Sequence, residues 1–66
     1  MRIVVNGQFQ DRSDAISVAE LLRALSLEPR RVAVELNKRI VRRADFEKTR
    51  LAENDSLEIV TLVGGG

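Results

Sequence analysis

Alternation of apolar and other residues at both ends of the chain is typical of β-strands, whose side chains repeat every two residues. The first such run leads into Asn6-Gly7, a dipeptide typical of a two-residue hairpin turn. We expect a partner strand over residues 8–12, in which Phe9 points away from the apolar face of the first strand. The poor alternation there leaves two interpretations open, an edge strand or a hairpin with a bulge. The apolar positions of the first strand are Met1, Ile3 and Val5.

An amphipathic helix is predicted next, from Ser17 to Leu25. Ser17 followed three residues later by Glu20 is the pattern of a capping box, in which each residue accepts a hydrogen bond from the other's backbone. Pro29 prevents the helix from continuing past Leu27. Apolar residues recur at the spacing of one helix face, at Val18, Leu21, Leu22 and Leu25.

The second half of the chain predicts three more strands. Alternation indicates a half-buried strand over 32–36, a turn at 37–38 and a short strand over 39–42. One helical turn is expected over 43–48, with the side chain of Phe46 directed toward the core. The last strand, over 57–62, is apolar on nearly both faces, which favours a central place in the sheet.

The order of these elements predicts an α+β fold of the β-grasp, or ubiquitin-like, type. A hairpin, a crossover helix and returning strands form one mixed sheet of four to five strands, with one main helix packed on one face. The first and last strands are expected to lie side by side and parallel at its centre. We expect residues 1–63 to form this domain and residues 64–66 a flexible C-terminal glycine tail.

The composition favours a carrier or binding protein over an enzyme. The 66 residues include no Cys and no His, so the commonest nucleophile, general base and metal ligand are all missing. A core this small leaves no room for an enclosed substrate pocket. We therefore assign no catalytic residue, no metal and no bound cofactor. The N-terminus lacks the order of a signal peptide, and no apolar run approaches a membrane span, so we expect a cytoplasmic protein that is a monomer alone.

Charges nearly cancel, but one segment is locally positive. The chain has 11 basic and 10 acidic residues, a formal net charge of +1, which gives no strong field for nucleic acid or membranes. The segment from Leu27 to Arg43 contains six basic residues and only two acidic ones. RNA binding is one interpretation, yet no aromatic residue is interleaved to stack a base. A solvated strand edge, also able to meet an acidic partner, is favoured.

The terminal carboxylate of Gly66 is the remaining candidate for chemistry. A carboxylate is ionised at neutral pH and is a poor electrophile, so it must be activated, most naturally by adenylylation with ATP. The chain has no phosphate-binding loop, which assigns activation to a partner enzyme. Gly64 and Gly65 serve as a spacer, since three extended residues reach about 10 Å and glycine lets backbones approach closely. The residues leave open whether sulfide, persulfide, thiol or amine attacks next.

A tail that is handed to other proteins needs a surface beside it. We expect a docking patch on the sheet face opposite the helix, formed by Val60, Leu62 and Ala33, with Val4 as a further member.

Several segments share one further pattern: the opening strand with Asn6-Gly7, the helix, the run 32–41, Leu51 with Asp55, and residues 58–60 leading to the three glycines. Taken together, they resemble the ThiS family, the sulfur carriers of thiamine biosynthesis, over essentially the whole chain.

The resemblance implies a mechanism and partners. An E1-like, ThiF-type adenylyltransferase would use ATP to adenylylate Gly66. A sulfur donor such as a cysteine desulfurase or sulfurtransferase would convert it to a thiocarboxylate, and thiazole synthase (ThiG) would receive the sulfur. Three alternatives remain: a MoaD-like small subunit of molybdopterin synthase, a non-reactive β-grasp domain that binds RNA, and a conjugated ubiquitin-like modifier.

Overall fold

Five strands and one α-helix form the part of the chain that the computed structural model describes, residues 1–12 and 14–63. The expected glycine tail lies outside the described residues. Two short 3₁₀ turns, Pro29–Arg31 and Arg43–Asp45, flank the third and fourth strands. The main elements are β1 (Arg2–Val5), β2 (Gln8–Asp11), α1 (Val18–Ala24), β3 (Val32–Leu36), β4 (Arg39–Val41) and β5 (Ser56–Thr61).

The strands form one mixed sheet in the order β2-β1-β5-β3-β4. β1 and β5 are parallel neighbours, and every other pairing is antiparallel. The prediction that the first and last strands lie side by side at the centre is therefore confirmed. Because β5 is central, the last part of the chain is anchored on both sides before it leaves the sheet.

The β1–β2 hairpin has a two-residue turn and no bulge. Val5 lies directly opposite Gln8, and both turn residues have positive φ, 50° at Asn6 and 81° at Gly7. Of the two predicted alternatives, an edge strand and a bulged hairpin, the structure shows the edge strand. Phe9 faces away from the core, as expected, and its 72% exposed side chain lies under the guanidinium of Arg2, 5.2 Å from the ring centroid.

Helix α1 begins with the predicted capping box. Glu20 N–H donates to Ser17 Oγ at 3.1 Å, and Ser17 N–H donates to Glu20 Oε1 at 2.8 Å. The buried face of the helix packs against the inward-facing side chains of all three inner strands, since these residues form one cluster. The cluster consists of Ile3, Val5, Val18, Ala19, Leu21, Leu22, Val32, Val34, Phe46, Leu51, Leu57 and Ile59.

The side chain of Asn6 extends the central β1–β5 pairing by one step. Backbone pairing between the two strands ends where β1 turns away, and β5 continues without a strand on that side. At this point Asn6 Nδ2 donates to the Ile59 carbonyl at 3.1 Å, and Ile59 N–H donates to Asn6 Oδ1 at 2.7 Å. The amide therefore replaces a neighbouring strand and satisfies both backbone groups of Ile59.

The capping box predicts a pH-dependent stability. The pKa of Glu20 is lowered from the usual 4.5, chiefly by the hydrogen bond from the Ser17 backbone. A lowered pKa in the folded state contributes stability above the unfolded pKa, and this contribution is lost as the pH falls through the folded pKa. Urea unfolding of Glu20→Gln should show a lower stability than the native chain at neutral pH, with the difference closing in acid.

Glu28→Gln is the control, because Glu28 is exposed and its side chain makes no capping hydrogen bond to the 3₁₀ turn that follows it. A Glu20→Gln difference that widens as the pH falls would contradict the sign derived above.

Replacing Asn6 tests its role as a strand substitute. Asn6→Gly keeps the positive φ but removes both hydrogen bonds to Ile59, so we expect a loss of about 1–2 kcal/mol of unfolding free energy. Hydrogen exchange at the Ile59 amide should accelerate. Asn6→Asp retains the acceptor for that amide but turns a carboxylate oxygen toward the Ile59 carbonyl, and should also destabilise. Unchanged Ile59 exchange in Asn6→Gly would refute the assignment.

Candidate functional site

The chain passes from the core to the surface over the last residues of β5. Ile59 is 8% exposed, Val60 is 56% exposed and Val63 is 94% exposed. The Leu62 N–H donates to the Arg31 carbonyl at 2.6 Å, so the β3–β5 ladder continues one residue past Thr61. Leu62 and Val63 therefore lie between the end of β5 at Thr61 and the first glycine.

The predicted reactive group is not among the described residues. Gly64, Gly65 and Gly66, expected to form the spacer and to carry the modification, all lie beyond residue 63. Their roles stay predictions. What the structure supplies is the platform from which they extend.

Two members of the predicted docking patch lie directly opposite each other. Ala33 on β3 is the register partner of Val60 on β5, and both are exposed on the face opposite the helix. Leu62 lies two residues further along and is 54% exposed. The structure thus brings the three side chains together beside the exit of the chain. A cross-strand pair of carboxylates, Glu35 opposite Glu58, bounds the patch on its other side.

Val4 is not part of this patch, and the expectation that it would join was wrong. The parallel register places Val4 beside Ser56, four residues before Val60, which is about 13 Å along a strand. Val4 instead pairs with Phe9 on the β2 side of the sheet. The error arose because alternation identifies the face of a side chain but not its level along the neighbouring strand.

The basic segment is divided between two ends of the sheet. Lys38 lies in the turn between β3 and β4, where Asn37 and Lys38 have φ of 52° and 70°, and Arg39 begins β4 beside it. The remaining arginines of the segment lie at the opposite end, where β3 starts and β4 finishes. That end is also where β5 finishes.

Residues 1–12 and 14–63 contain no group of three or more His, Cys, Asp or Glu side chains placed to hold a metal ion. No helix in that part of the chain is long and apolar enough to cross a membrane. A hollow of about 300 Å³ lies near the start of β5 and is lined by Glu35, Asn37, Lys38, Ser56 and Glu58. It lies at the far end of β5 from the chain exit.

Sequence reasoning missed the second role of Asn6. The dipeptide Asn6-Gly7 predicts only a turn, whereas the Asn6 amide also binds the backbone of Ile59 just before the strand reaches the surface. The partner is 53 positions away in the sequence, so no local pattern indicates the contact. An asparagine that begins a turn at the end of a central strand is the one available signal.

Comparisons with known proteins agree with this geometry. A family model described as the ThiS family matches residues 2–66. The sulfur carrier protein ThiS of Bacillus subtilis (strain 168) is 36% identical over 55 residues, which cover 83% of each chain. The thiazole synthase of Paramagnetospirillum magneticum is 38% identical over 66 residues, all of this chain and 20% of that protein. The chain therefore spans about a fifth of the length of such relatives.

A solved structure resembles the whole chain. The crystal structure of the thiamine biosynthesis protein (ThiS) from Geobacter metallireducens matches with a TM-score of 0.86 and 33% sequence identity, and the match covers 100% of both chains. The predicted β-grasp fold is thus confirmed. On the family match and these relatives, the chain belongs to the ThiS family.

Proposed function

We propose that this protein is a sulfur carrier of thiamine biosynthesis and that the C-terminal carboxylate of Gly66 carries the sulfur. The observation that supports this most directly is the end of β5, where the strand is held at Ile59 by the Asn6 side chain and along its other side by β3, and then leads into the exposed Val63 and the glycines. Membership of the ThiS family and similarity to a protein named as a sulfur carrier support the same function.

The first step is activation of the carboxylate by a ThiF-like adenylyltransferase. A carboxylate oxygen of Gly66 attacks the α-phosphorus of ATP, pyrophosphate leaves, and a mixed anhydride with AMP results. ATP is a substrate of the partner, and no cofactor is bound by the carrier itself. The carrier contributes reach and exposure, because Gly64 and Gly65 have no side chains to obstruct a narrow active site.

The second step places sulfur on the activated carbonyl. Hydrosulfide attack at the carbonyl carbon expels AMP and gives the thiocarboxylate directly. If the nucleophile is the persulfide of a cysteine desulfurase or sulfurtransferase, an acyl disulfide forms first. A thiol then cleaves its S–S bond, which releases the thiocarboxylate and leaves a mixed disulfide.

The third step is delivery to thiazole synthase. The thiocarboxylate sulfur bonds to the forming thiazole ring, and its bond to the Gly66 carbonyl carbon breaks as an oxygen atom from the acceptor or from water takes its place, which regenerates the carboxylate. Two relatives named thiazole synthase contain a segment similar to this entire chain, which supports a close association of carrier and synthase. We propose that the carrier is a cytoplasmic monomer until it docks, with residues 1–63 as the handle and residues 64–66 as a flexible tail.

Incubation with the cognate adenylyltransferase, ATP and a sulfur source should exchange one terminal oxygen for sulfur. Intact mass spectrometry of the carrier measures this directly, and fragmentation should locate the change at Gly66. A chain without Gly65 and Gly66 keeps the folded domain as a matched control and should show no change. An unaltered full-length mass with an adenylyltransferase of proven activity would contradict the proposal.

The patch of Ala33, Val60 and Leu62 is proposed to dock against these partners. Val60→Asp introduces a charge at its centre without disturbing the core, because the side chain is 56% exposed. We expect partner affinity to fall by about tenfold or more, with the thermal midpoint little changed. Calorimetric titration with the adenylyltransferase measures the affinity. Phe9→Asp, also exposed but near the β2 edge, is the control, and an equal loss there would refute the patch.

A further inference from the structure

Four exposed arginines lie around the point where the chain leaves the sheet. Two of them precede β3, where the Arg31 carbonyl accepts the Leu62 N–H. Arg31 is therefore fixed beside the last residues of β5, and Arg30 adjoins it in the same 3₁₀ turn. We call the four residues the exit surface: Arg30, Arg31, Arg42 and Arg43.

The other two arginines reach the same end of the sheet through β4. Val34 is the register partner of Val41, so the antiparallel direction brings the following Arg42 level with Ala33. Ala33 in turn lies opposite Val60. The backbone of Arg42 and Arg43 is held by the turn that begins η2, the 3₁₀ turn Arg43–Asp45, in which the Asp45 N–H donates to the Arg42 carbonyl at 2.8 Å.

Among the described residues, the exit-surface arginines differ from the arginines outside residues 30–43 in their lack of side-chain partners, and Arg39 at the opposite end of the sheet shares this lack. Every arginine outside residues 30–43 holds a side-chain partner: Arg2 with Asp11, Arg12 with Gln10, Arg23 with Glu47 and Arg50 with Glu20. Within the described ranges 1–12 and 14–63, no exit-surface guanidinium lies within 4.0 Å of a side-chain carboxylate oxygen.

The charge of the molecule is correspondingly polarised. The chain carries 11 basic and 10 acidic residues. Glu28 adjoins the 3₁₀ turn of Arg30 and Arg31, and Asp45 ends the turn that Arg43 begins, so this end carries four basic and two acidic residues, a formal charge of +2. The rest of the chain carries seven basic and eight acidic residues, a formal charge of −1. Such a distribution orients a protein in the field of an oppositely charged partner before contact.

We propose that the exit surface binds an acidic rim around the active-site entrance of the proteins that receive the tail, and that it orients the carrier tail-first. This inference rests on the proposed carrier function and adds the chemistry of the partner's surface. The arginines lie next to the docking patch, so one partner surface covers both: apolar against Ala33 and Val60, and carboxylate-rich against the guanidinium groups.

A protein partner fits this surface better than RNA does. Base recognition in single strands relies on aromatic side chains for stacking. Phe46 is 3% exposed and belongs to the core, and Phe9 lies near the β2 edge beneath Arg2. The exit surface therefore offers charge and hydrogen-bond donors without a stacking platform.

Association rates with the cognate adenylyltransferase test the proposal. Arg42→Gln with Arg43→Gln should slow association by about three- to tenfold at low ionic strength, and the difference from the native chain should vanish at high salt. The matched control is Lys38→Gln with Arg39→Gln, which removes the same charge from exposed residues at the opposite end of the sheet. This control should change the rate less than about twofold. Circular dichroism verifies that both variants fold.

Three results would overturn the inference. One is an unchanged association rate for the Arg42/Arg43 variant, and another is an equal slowing in the Lys38/Arg39 control, which would indicate net charge alone. The third is single-stranded RNA that binds the native chain more tightly than the adenylyltransferase does and displaces it. If the native chain acquires sulfur but the two variants do not show the expected difference in association rate, only the exit surface is refuted. If the native chain acquires no sulfur, the carrier function itself fails.

Discussion

The parallel pairing of β1 with β5 is the constraint on which the rest of the structure depends. It joins the two ends of the chain at the centre of the sheet, and the hairpins β1–β2 and β3–β4 complete the sheet on either side. Because parallel strands require a crossover, the helix must lie on one face. The same pairing sends β5 out of the sheet beyond the Asn6 turn, where a side-chain amide replaces the missing neighbour.

This arrangement separates a packed domain from the C-terminal residues that follow β5. Among residues 1–12 and 14–63, twelve buried apolar residues form one cluster between the helix and the sheet, and Ile59 is the last of them before the chain emerges. After Ile59, the exposed side chains of Val60 and Leu62 make the sheet face apolar. The turns before β3 and after β4, which lie at the same end of the sheet, carry the exit-surface arginines. A carrier needs this division, since its partners must recognise a fixed body while a separate group undergoes the chemistry. In the proposed function the domain acts by presenting the tail.

Sequence patterns predicted the features that depend on neighbouring residues. The capping box of Ser17 and Glu20 and the turn at Asn6-Gly7 are local, and each was recognised from spacing alone. Long-range register was not accessible in the same way. The pairing register places Val4 far from Val60 and brings Asn6 beside Ile59. The antiparallel pairing of β3 with β4 also divides the basic segment between the two ends of the sheet. The central place of β5 was predicted from its apolar character on nearly both faces; the structure confirms the position, although the outer face of the strand is exposed at Val60.

The chemistry assigned to Gly66 could be proposed by elimination, since a chain without Cys or His offers few other reactive groups. The identity of the cargo required family resemblance. The most direct test of the account uses a carrier whose terminal carboxylate is replaced by a carboxamide through chemical ligation. Exchange of labelled pyrophosphate into ATP by the adenylyltransferase should require the native carrier and be absent with the amide. Exchange that persists with the amidated chain would contradict the assignment of the chemistry to the terminal carboxylate.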